Sequence, residues 1–107
     1  MQPDPADDPV MRRFRTALDA LYGARLERAV LFGSRARGDA RPDSDYDVAL
    51  FLRGYSSLWE ELQPLGAITT AILLDTDAVI SPKPFPAGAY RTRSLLMGEI
   101  RREGVDF

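Results

Sequence analysis

Two apolar runs, residues 29–32 and 48–52, stand on either side of a short loop rich in glycine and arginine. Apolar runs of four or five residues bounded by turn signals are typical of buried strands. The first run ends at Gly33, where a sharp turn is least strained in a residue without a side chain. The pattern therefore predicts two strands, residues 26–32 and 45–53, with a helical turn over residues 34–38 between them.

A helix is predicted before the first strand. Asp8 is a suitable N-cap and Pro9 a suitable first helical residue, and Gly23 can end the helix. Its apolar residues recur at helical spacing and are expected in the core: Val10, Phe14, Leu18 and Leu21.

The second half of the chain predicts two further helices and a third strand. Ser57 can cap a helix that carries Trp59, which is expected to pack in the core rather than to anchor a partner. Pro64 either kinks this helix or begins another at Leu65. The remaining predicted elements are a strand, a rigid extended connector and a final helix, over residues 76–81, 82–86 and 89–103.

This order of elements predicts an α/β (α+β) fold, a small mixed β-sheet flanked by helices. Residues 1–8 are expected to be a flexible N-terminal arm and residues 9–107 a single domain. The chain of 107 residues is 45% hydrophobic and 28% charged, which is enough for one core. No apolar stretch reaches membrane-spanning length, so we expect a cytoplasmic protein without a membrane partner.

Composition also limits the chemistry. Histidine and cysteine are absent, which excludes histidine acid–base catalysis, thiol nucleophiles, disulfides and the usual zinc sites. The formal net charge of −2 lacks the strongly basic character of proteins that hold long nucleic acids. Carboxylates are left as general bases and as ligands for hard metal ions.

The loop after the first strand is suited to phosphate. Small residues at Gly33 and Ser34 let a polyphosphate approach, and the N–H groups of a following helical turn attract anions. Arginines 35, 37 and 41 add positive charge and guanidinium groups for bidentate contacts. The pattern predicts a binding site for a nucleoside triphosphate; the alternative is an ordinary solvated loop of mixed charge.

Two aspartates open the second strand. Asp45 and Asp47 alternate, so their side chains project from one face of the sheet. Magnesium binds one or two carboxylates together with substrate phosphates. Asp-x-Asp recurs elsewhere in this aspartate-rich chain, so the pair is informative only because it follows a glycine-serine turn and begins a strand.

These motifs resemble the signature of minimal nucleotidyltransferase (MNT) domains, small members of the DNA polymerase β-like superfamily. The residues that carry the resemblance are Gly33-Ser34-x-Ala36-x-Gly38 and Ser44-Asp45-x-Asp47. Residues 77–80 resemble the family's third strand, which opens with an aspartate, and residues 100–105 resemble its closing segment. The resemblance implies the polymerase β-like nucleotidyltransferase fold.

The resemblance also implies a reaction, the transfer of AMP from ATP to a hydroxyl group with two Mg²⁺ ions. The catalytic and metal-binding residues that it implies are Asp45, Asp47 and Asp77. The nucleotide-binding residues are Gly33, Ser34 and Arg37. Asp75 alternates with Asp77 and is the alternative third carboxylate.

Small stand-alone domains of this family are commonly antitoxins that add AMP to a tyrosine of a HEPN-type toxin, so the resemblance implies such a partner. One alternative is a non-catalytic antitoxin that binds nucleotide and blocks its partner sterically. Another is a small-molecule nucleotidyltransferase that modifies aminoglycoside-like acceptors. A polymerase fragment is disfavoured because no basic groove is visible. Base preference and oligomeric state are not encoded in these motifs.

Overall fold

A computed structural model of the protein describes residues 4–107. A four-stranded mixed sheet with strand order β3-β2-β1-β4 forms its centre, with helices on both faces. The elements are α1 (Pro9–Tyr22), β1 (Leu26–Phe32), α2 (Ser34–Arg37), β2 (Tyr46–Leu52), α3 (Leu58–Thr76), β3 (Ile80–Pro86), α4 (Leu95–Glu103) and β4 (Val105–Asp106). The predicted α/β class and the small mixed sheet are confirmed. Among residues 4–107, no helix combines the length and apolarity needed to cross a membrane.

The strand pairing brings three chain segments to one end of the sheet. β1 runs antiparallel to β2, with Phe32 opposite Asp47. β2 runs parallel to β3, with Asp47 beside Ser81. The end of β1, the start of β2 and the start of β3 therefore meet, and the loop after β1 lies at the same place.

The two faces of the sheet are covered by different helices. On one face, Val48 and Leu50 of β2 pack with Phe14 of α1 and Leu65 of α3 in the larger core cluster. On the other face, a second cluster joins residues of β1 and β2 to α4: Val30, Phe32, Ala49, Phe51, Met97 and Ile100. Since side chains alternate along a strand, Asp47 shares the α4 face with Ala49 and Phe51.

The first helix agrees with its predicted bounds. The Asp8 carboxylate accepts hydrogen bonds from the N–H groups of Val10 and Met11, at 2.8 and 3.4 Å. Phe14 and Leu18 are fully buried, as predicted. Leu21 is 39% exposed, however, and the neighbouring Tyr22 is buried in its place.

The next helix, α3, is continuous through Pro64. Ser57 caps it by accepting from the N–H of Glu60 at 3.2 Å. The alternative of a second helix beginning at Leu65 is therefore wrong. The expectation that Trp59 packs in the core is also wrong, because its side chain points to solvent and the residue is 72% exposed.

The third strand is displaced from its predicted position. α3 continues to Thr76, and β3 comprises the proline-bearing segment that was predicted to be a connector. The N–H of Ala87 donates to the carbonyl of Leu52 at 2.9 Å. The backbone N–H and C=O groups of the odd-numbered residues in this segment therefore point toward β2. The three prolines, at positions 82, 84 and 86, face away from β2, where an edge strand needs no N–H donors.

Both ends of the chain also depart from expectation. The predicted flexible arm begins with residues 1–3, which lie outside the described residues. From Asp4 onward it is structured, since Pro5–Asp7 forms a 3-10 helix and Pro5 is buried. The final helix begins at Leu95 rather than at residue 89, because Ser94 caps it and a separate 3-10 helix, Ala89–Arg91, precedes it.

Candidate functional site

The turn after β1 brings a bare backbone against a carboxylate. Gly33 has φ 74° and ψ −157°, a conformation that disfavours residues with a side chain. A Cβ atom built on Gly33 would lie 2.6 Å from Oδ2 of Asp47. Glycine is therefore required here both by the backbone and by the carboxylate that occupies the space beside it.

A single helical turn, α2, follows at once. The N–H groups of Ala36 and Arg37 donate to the carbonyl of Gly33 at 3.1 and 3.0 Å, and Gly38 ends the turn with φ 86°. The N–H groups at the start of a helix have no intrahelical acceptor. Those of Ser34 and Arg35 are thus available to a ligand next to Asp47.

The two predicted carboxylates lie on the α4 face of the sheet. Asp45 is exposed and directly precedes β2, while the side chain of Asp47 is one-third exposed. The hydroxyl of Ser81 donates to Oδ2 of Asp45 at 3.4 Å. Nζ of Lys83 lies 3.8 Å from Oδ1 of Asp47. A hydroxyl and an ammonium group from β3 therefore complete the surroundings of the pair.

Asp77 is not brought to this pair. It caps the C-terminus of α3 in the left-handed region, with φ 61°. It lines a separate polar cavity of about 220 Å³ together with Val10 and Tyr46, on the side of the sheet that α1 covers. The predicted position of Asp77 at the start of β3 is therefore wrong.

Asp75 does not supply the third carboxylate either. Its Oδ2 pairs with the guanidinium of Arg13 at 2.8 Å, which ties it to α1. Among residues 4–107, no group of three or more carboxylates is arranged to hold a metal ion. The expected cluster of three is reduced to the pair Asp45 and Asp47.

The arginines of the loop divide into two roles. Arg35 donates to the carbonyl of Ser44 at 2.8 Å and lies 4.0 Å above the ring of Tyr46, so it holds the loop against β2. Arg37 is exposed and pairs with Asp39 at 3.3 Å and Glu103 at 3.2 Å. The hydrogen bond to Asp39 raises the pKa of Arg37 above its usual value.

Tyr46 anchors the strand between the two aspartates. Its hydroxyl donates to Oδ2 of Asp8 at 2.8 Å. Burial, followed by that hydrogen bond, raises the pKa of Tyr46 to about 12. Because Tyr46 is fixed toward α1, the residues on either side of it point to the opposite face.

Neither Ser81 nor Lys83 is among the site residues predicted from the sequence. Ser81 is the last residue of the predicted strand and Lys83 lies in the predicted connector, because the proline content of residues 82–86 indicates an extended connector. Prolines at every second position are compatible with an edge strand. That alternation was the signal that could have placed Lys83 on the face of the aspartates.

The site is chemically suited to a divalent cation and a polyphosphate. Two carboxylates on one face match the one or two that magnesium takes from protein. Gly33 lets the Asp47 carboxylate lie against the backbone of the turn, and a side chain at position 33 would collide with it. The donor set fits one metal ion better than two, because a third carboxylate is missing from the group.

Comparisons with known proteins identify the family of this chain. Residues 11–99 match the family described as nucleotidyltransferase domain. The chain is 33% identical over 97 residues to "Putative protein adenylyltransferase MJ0141" of Methanocaldococcus jannaschii, covering 91% of this chain and 94% of that protein. A second protein of that organism, "Putative protein adenylyltransferase MJ0604", is 36% identical over 44 residues, which is 41% of this chain and 44% of that protein.

Solved structures share the fold at low sequence identity. A crystal structure described as "the toxin-antitoxin with AMP-PNP" has a TM-score of 0.65 at 17% identity, over 89% of this chain and 69% of that chain. A crystal structure described as "a putative nucleotidyltransferase from Sulfolobus solfataricus" has a TM-score of 0.59 at 18% identity, over 99% of this chain and 88% of that chain. Because the family match spans residues 11–99 and a relative over 91% of this chain is 33% identical, the chain belongs to the nucleotidyltransferase domain family, and its resemblance to the minimal nucleotidyltransferases is confirmed.

Proposed function

We propose that this chain transfers AMP from ATP to a hydroxyl group of a partner protein, with Mg²⁺ as cofactor. The observation that carries the proposal is the contact between Asp47 and the bare backbone of Gly33, where an added Cβ would lie 2.6 Å from the carboxylate. This contact joins a carboxylate pair to a turn that is open to phosphate. Metal and triphosphate would then share one surface.

Each residue has a defined part in the proposal. Gly33 and Ser34 receive the β and γ phosphates of ATP, and Arg37 lies in the same loop to add positive charge. Asp45 and Asp47 hold Mg²⁺, which supplies charge stabilisation at the phosphate oxygens when bound. Asp77 is left out, because it caps α3 and lines a different cavity.

The transfer itself is an in-line displacement at the α phosphorus. The acceptor oxygen forms a bond to this phosphorus while the bond from the α phosphorus to its bridging oxygen breaks. Pyrophosphate leaves with the electron pair of that bond. The proton of the acceptor hydroxyl passes to solvent, so atoms and charge balance.

A protein acceptor is supported by the names of similar proteins and by the surface of this one. One relative is named "Putative protein adenylyltransferase", and two structures of the same fold are described as those of a toxin-antitoxin. Leu58, Leu62 and Leu96 line one open, mostly apolar depression together with Phe85, and a contiguous exposed apolar patch marks an interaction surface. We propose a HEPN-type toxin as the partner and a tyrosine as its modified residue.

The proposal is tested by incubating the co-expressed partner with the chain, Mg²⁺ and ATP labelled in its adenine or α-phosphate portion. We expect label on the partner, a mass gain of one or more AMP units, and loss of at least 100-fold in rate for Asp45→Asn or Asp47→Asn, since each removes a metal ligand. Asp75→Asn is the matched control and should transfer normally. Asp77→Asn should also transfer normally, and abolished transfer in that variant would contradict the site described above.

A second candidate function is a non-catalytic antitoxin that binds nucleotide and blocks its partner by contact. The separation of Asp77 from the carboxylate pair favours this candidate, because a family member without its third carboxylate has a weaker catalytic set. A stoichiometric complex that forms without label on the partner would support it. Label on a small molecule but not on the partner would instead indicate a small-molecule acceptor.

A further inference from the structure

The geometry points to Lys83 as the group that takes the place of a third carboxylate and its metal ion. In this inference the site takes a single divalent cation, and the ammonium of Lys83 binds a phosphate oxygen of the triphosphate beside that cation. The inference rests on the proposed function, because it concerns the same ligand. It departs from the two-ion site that the sequence resemblance implies.

The sheet register identifies the residues that could stand next to the aspartates. β3 is the strand beside β2, and its residues Ser81 and Lys83 pair with Asp47 and Ala49. Parallel strands in register turn corresponding side chains to the same face, so both residues share the face of the carboxylates. Neither is acidic, and a hydroxyl and an ammonium fill the two positions from which β3 could offer a third carboxylate.

The ammonium is directed at the site. Nζ of Lys83 lies 3.8 Å from Oδ1 of Asp47 and 5.6 Å from the ring centre of Phe32 at the end of β1. Pro82 and Pro84 flank it, and proline fixes the backbone φ angle. With 43% of its side chain exposed, Lys83 can leave Asp47 and contact a ligand.

Charge balance is consistent with a single ion. Three carboxylates that hold two divalent ions carry one net positive charge. Two carboxylates, one ammonium and one divalent ion carry the same net charge. With Lys83, the triphosphate therefore meets the same net charge as in a two-ion site. The ammonium of lysine is a compact point charge on a flexible side chain.

The direct test counts ions. We expect the wild-type chain, saturated with AMP-PNP, to bind one Mn²⁺ by electron paramagnetic resonance titration. The double variant Ser81→Asp/Lys83→Ala places a carboxylate beside Asp47 and removes the ammonium, and it should bind two. Two tightly bound Mn²⁺ ions in the wild-type chain would overturn the inference.

A second measurement does not depend on the double variant. Lys83→Ala should weaken AMP-PNP binding in Mg²⁺ by about tenfold in calorimetry, because a charged hydrogen bond to phosphate is lost. Arg93→Ala removes one positive charge from the exposed loop before α4 and should bind normally. If Lys83→Ala binds metal more tightly with AMP-PNP affinity unchanged, the lysine only competes with the metal and the inference is wrong.

The same titrations separate the inference from the proposed function. Asp47→Asn, checked for folding by circular dichroism, should lose Mn²⁺ binding in the presence of nucleotide. If this variant binds Mn²⁺ and AMP-PNP like the wild type, the proposed function fails. If it loses both ligands while Lys83→Ala binds like the wild type, only the role of Lys83 fails.

Discussion

Gly33 makes room for the site because it has no side chain, and its replacement tests that role. Gly33→Ala puts a Cβ against Asp47 and keeps a φ of 74° that L residues rarely adopt. We expect the free energy of unfolding to fall by about 1–3 kcal/mol and Mn²⁺–AMP-PNP binding to be lost. Urea titration and calorimetry measure the two effects.

Gly66→Ala is the matched control. Gly66 lies inside α3, and nothing within 4 Å would meet its Cβ. Alanine should therefore stabilise the helix by about 0.5–1 kcal/mol and leave binding unchanged. Normal ligand binding by Gly33→Ala would show that Asp47 does not need the space beside the turn.

Tyr22, which lies outside the candidate site, makes the free energy of unfolding depend on pH. Its buried hydroxyl has no hydrogen-bond partner among residues 4–107. Burial, then the charge of Glu61, raises its pKa from 10.0 to about 12, with Arg25 opposing. The unfolded chain therefore loses this proton first, and stability that is complete below pH 10 declines as the pH rises toward 12.

Tyr22→Phe should reduce that alkaline loss. The rise in the pKa of Tyr22 to about 12 corresponds to about 2–3 kcal/mol of stability, and Tyr46 retains its own raised pKa of about 12. The variant should therefore lose stability less steeply, not stop losing it. At pH 7 removal of the unpaired hydroxyl should be neutral or stabilising by about 1 kcal/mol. Urea titrations at pH 7, 10 and 11 measure both effects, and a steeper alkaline loss in the variant would contradict this account.

At the level of elements, α3 contains its own weak point. Pro64 lies inside the helix, where it cannot donate to the preceding turn and its ring crowds a carbonyl. Pro64→Ala should raise the free energy of unfolding by about 1–3 kcal/mol, as measured by thermal and urea unfolding. An equal or lower stability would indicate that the packing of α3 on α1 depends on the bend that proline imposes.

An element can be predicted from the sequence when the residues around it and the pairing of strands in the sheet favour the same structure. β1, α1 and the α2 turn were predicted closely because their caps and apolar runs act locally. β3 was misplaced because proline indicates a connector, whereas the pairing of Tyr46 with Ile80 decides the strand. Only the pairing reveals that the prolines face outward.

The residues of the candidate site also differ in whether a local motif predicts them. Gly33, Asp45 and Asp47 were predictable because their motif lies within one continuous stretch of chain. Asp77 was misplaced and Lys83 was assigned to a connector, since both assignments depend on where β3 begins and ends. The register between β2 and β3 decides which residues of β3 lie beside the aspartates. The residues that surround each position in the sequence do not determine that register.

At the level of the whole molecule, ligand binding should be visible as stability. A ligand that binds only the folded state at about 100 times its Kd adds about 2.7 kcal/mol, which raises the Tm of a domain of this size by about 10 °C. We expect a rise of this order with Mg²⁺ and AMP-PNP together, measured by differential scanning fluorimetry. Asp47→Asn should abolish the rise and Asp75→Asn should keep it; an equal rise in both variants would place the ligand elsewhere.

The prolines of β3 also restrict how another protein can reach this surface. Proteins often extend a neighbour's sheet by pairing a strand with its free edge, which requires backbone N–H donors at that edge. Within residues 82–86, every outward-facing position lacks that donor. A protein that delivers its hydroxyl to Asp47 past this edge must therefore approach through side chains, by a helix or a loop, and cannot be captured by β-augmentation on β3.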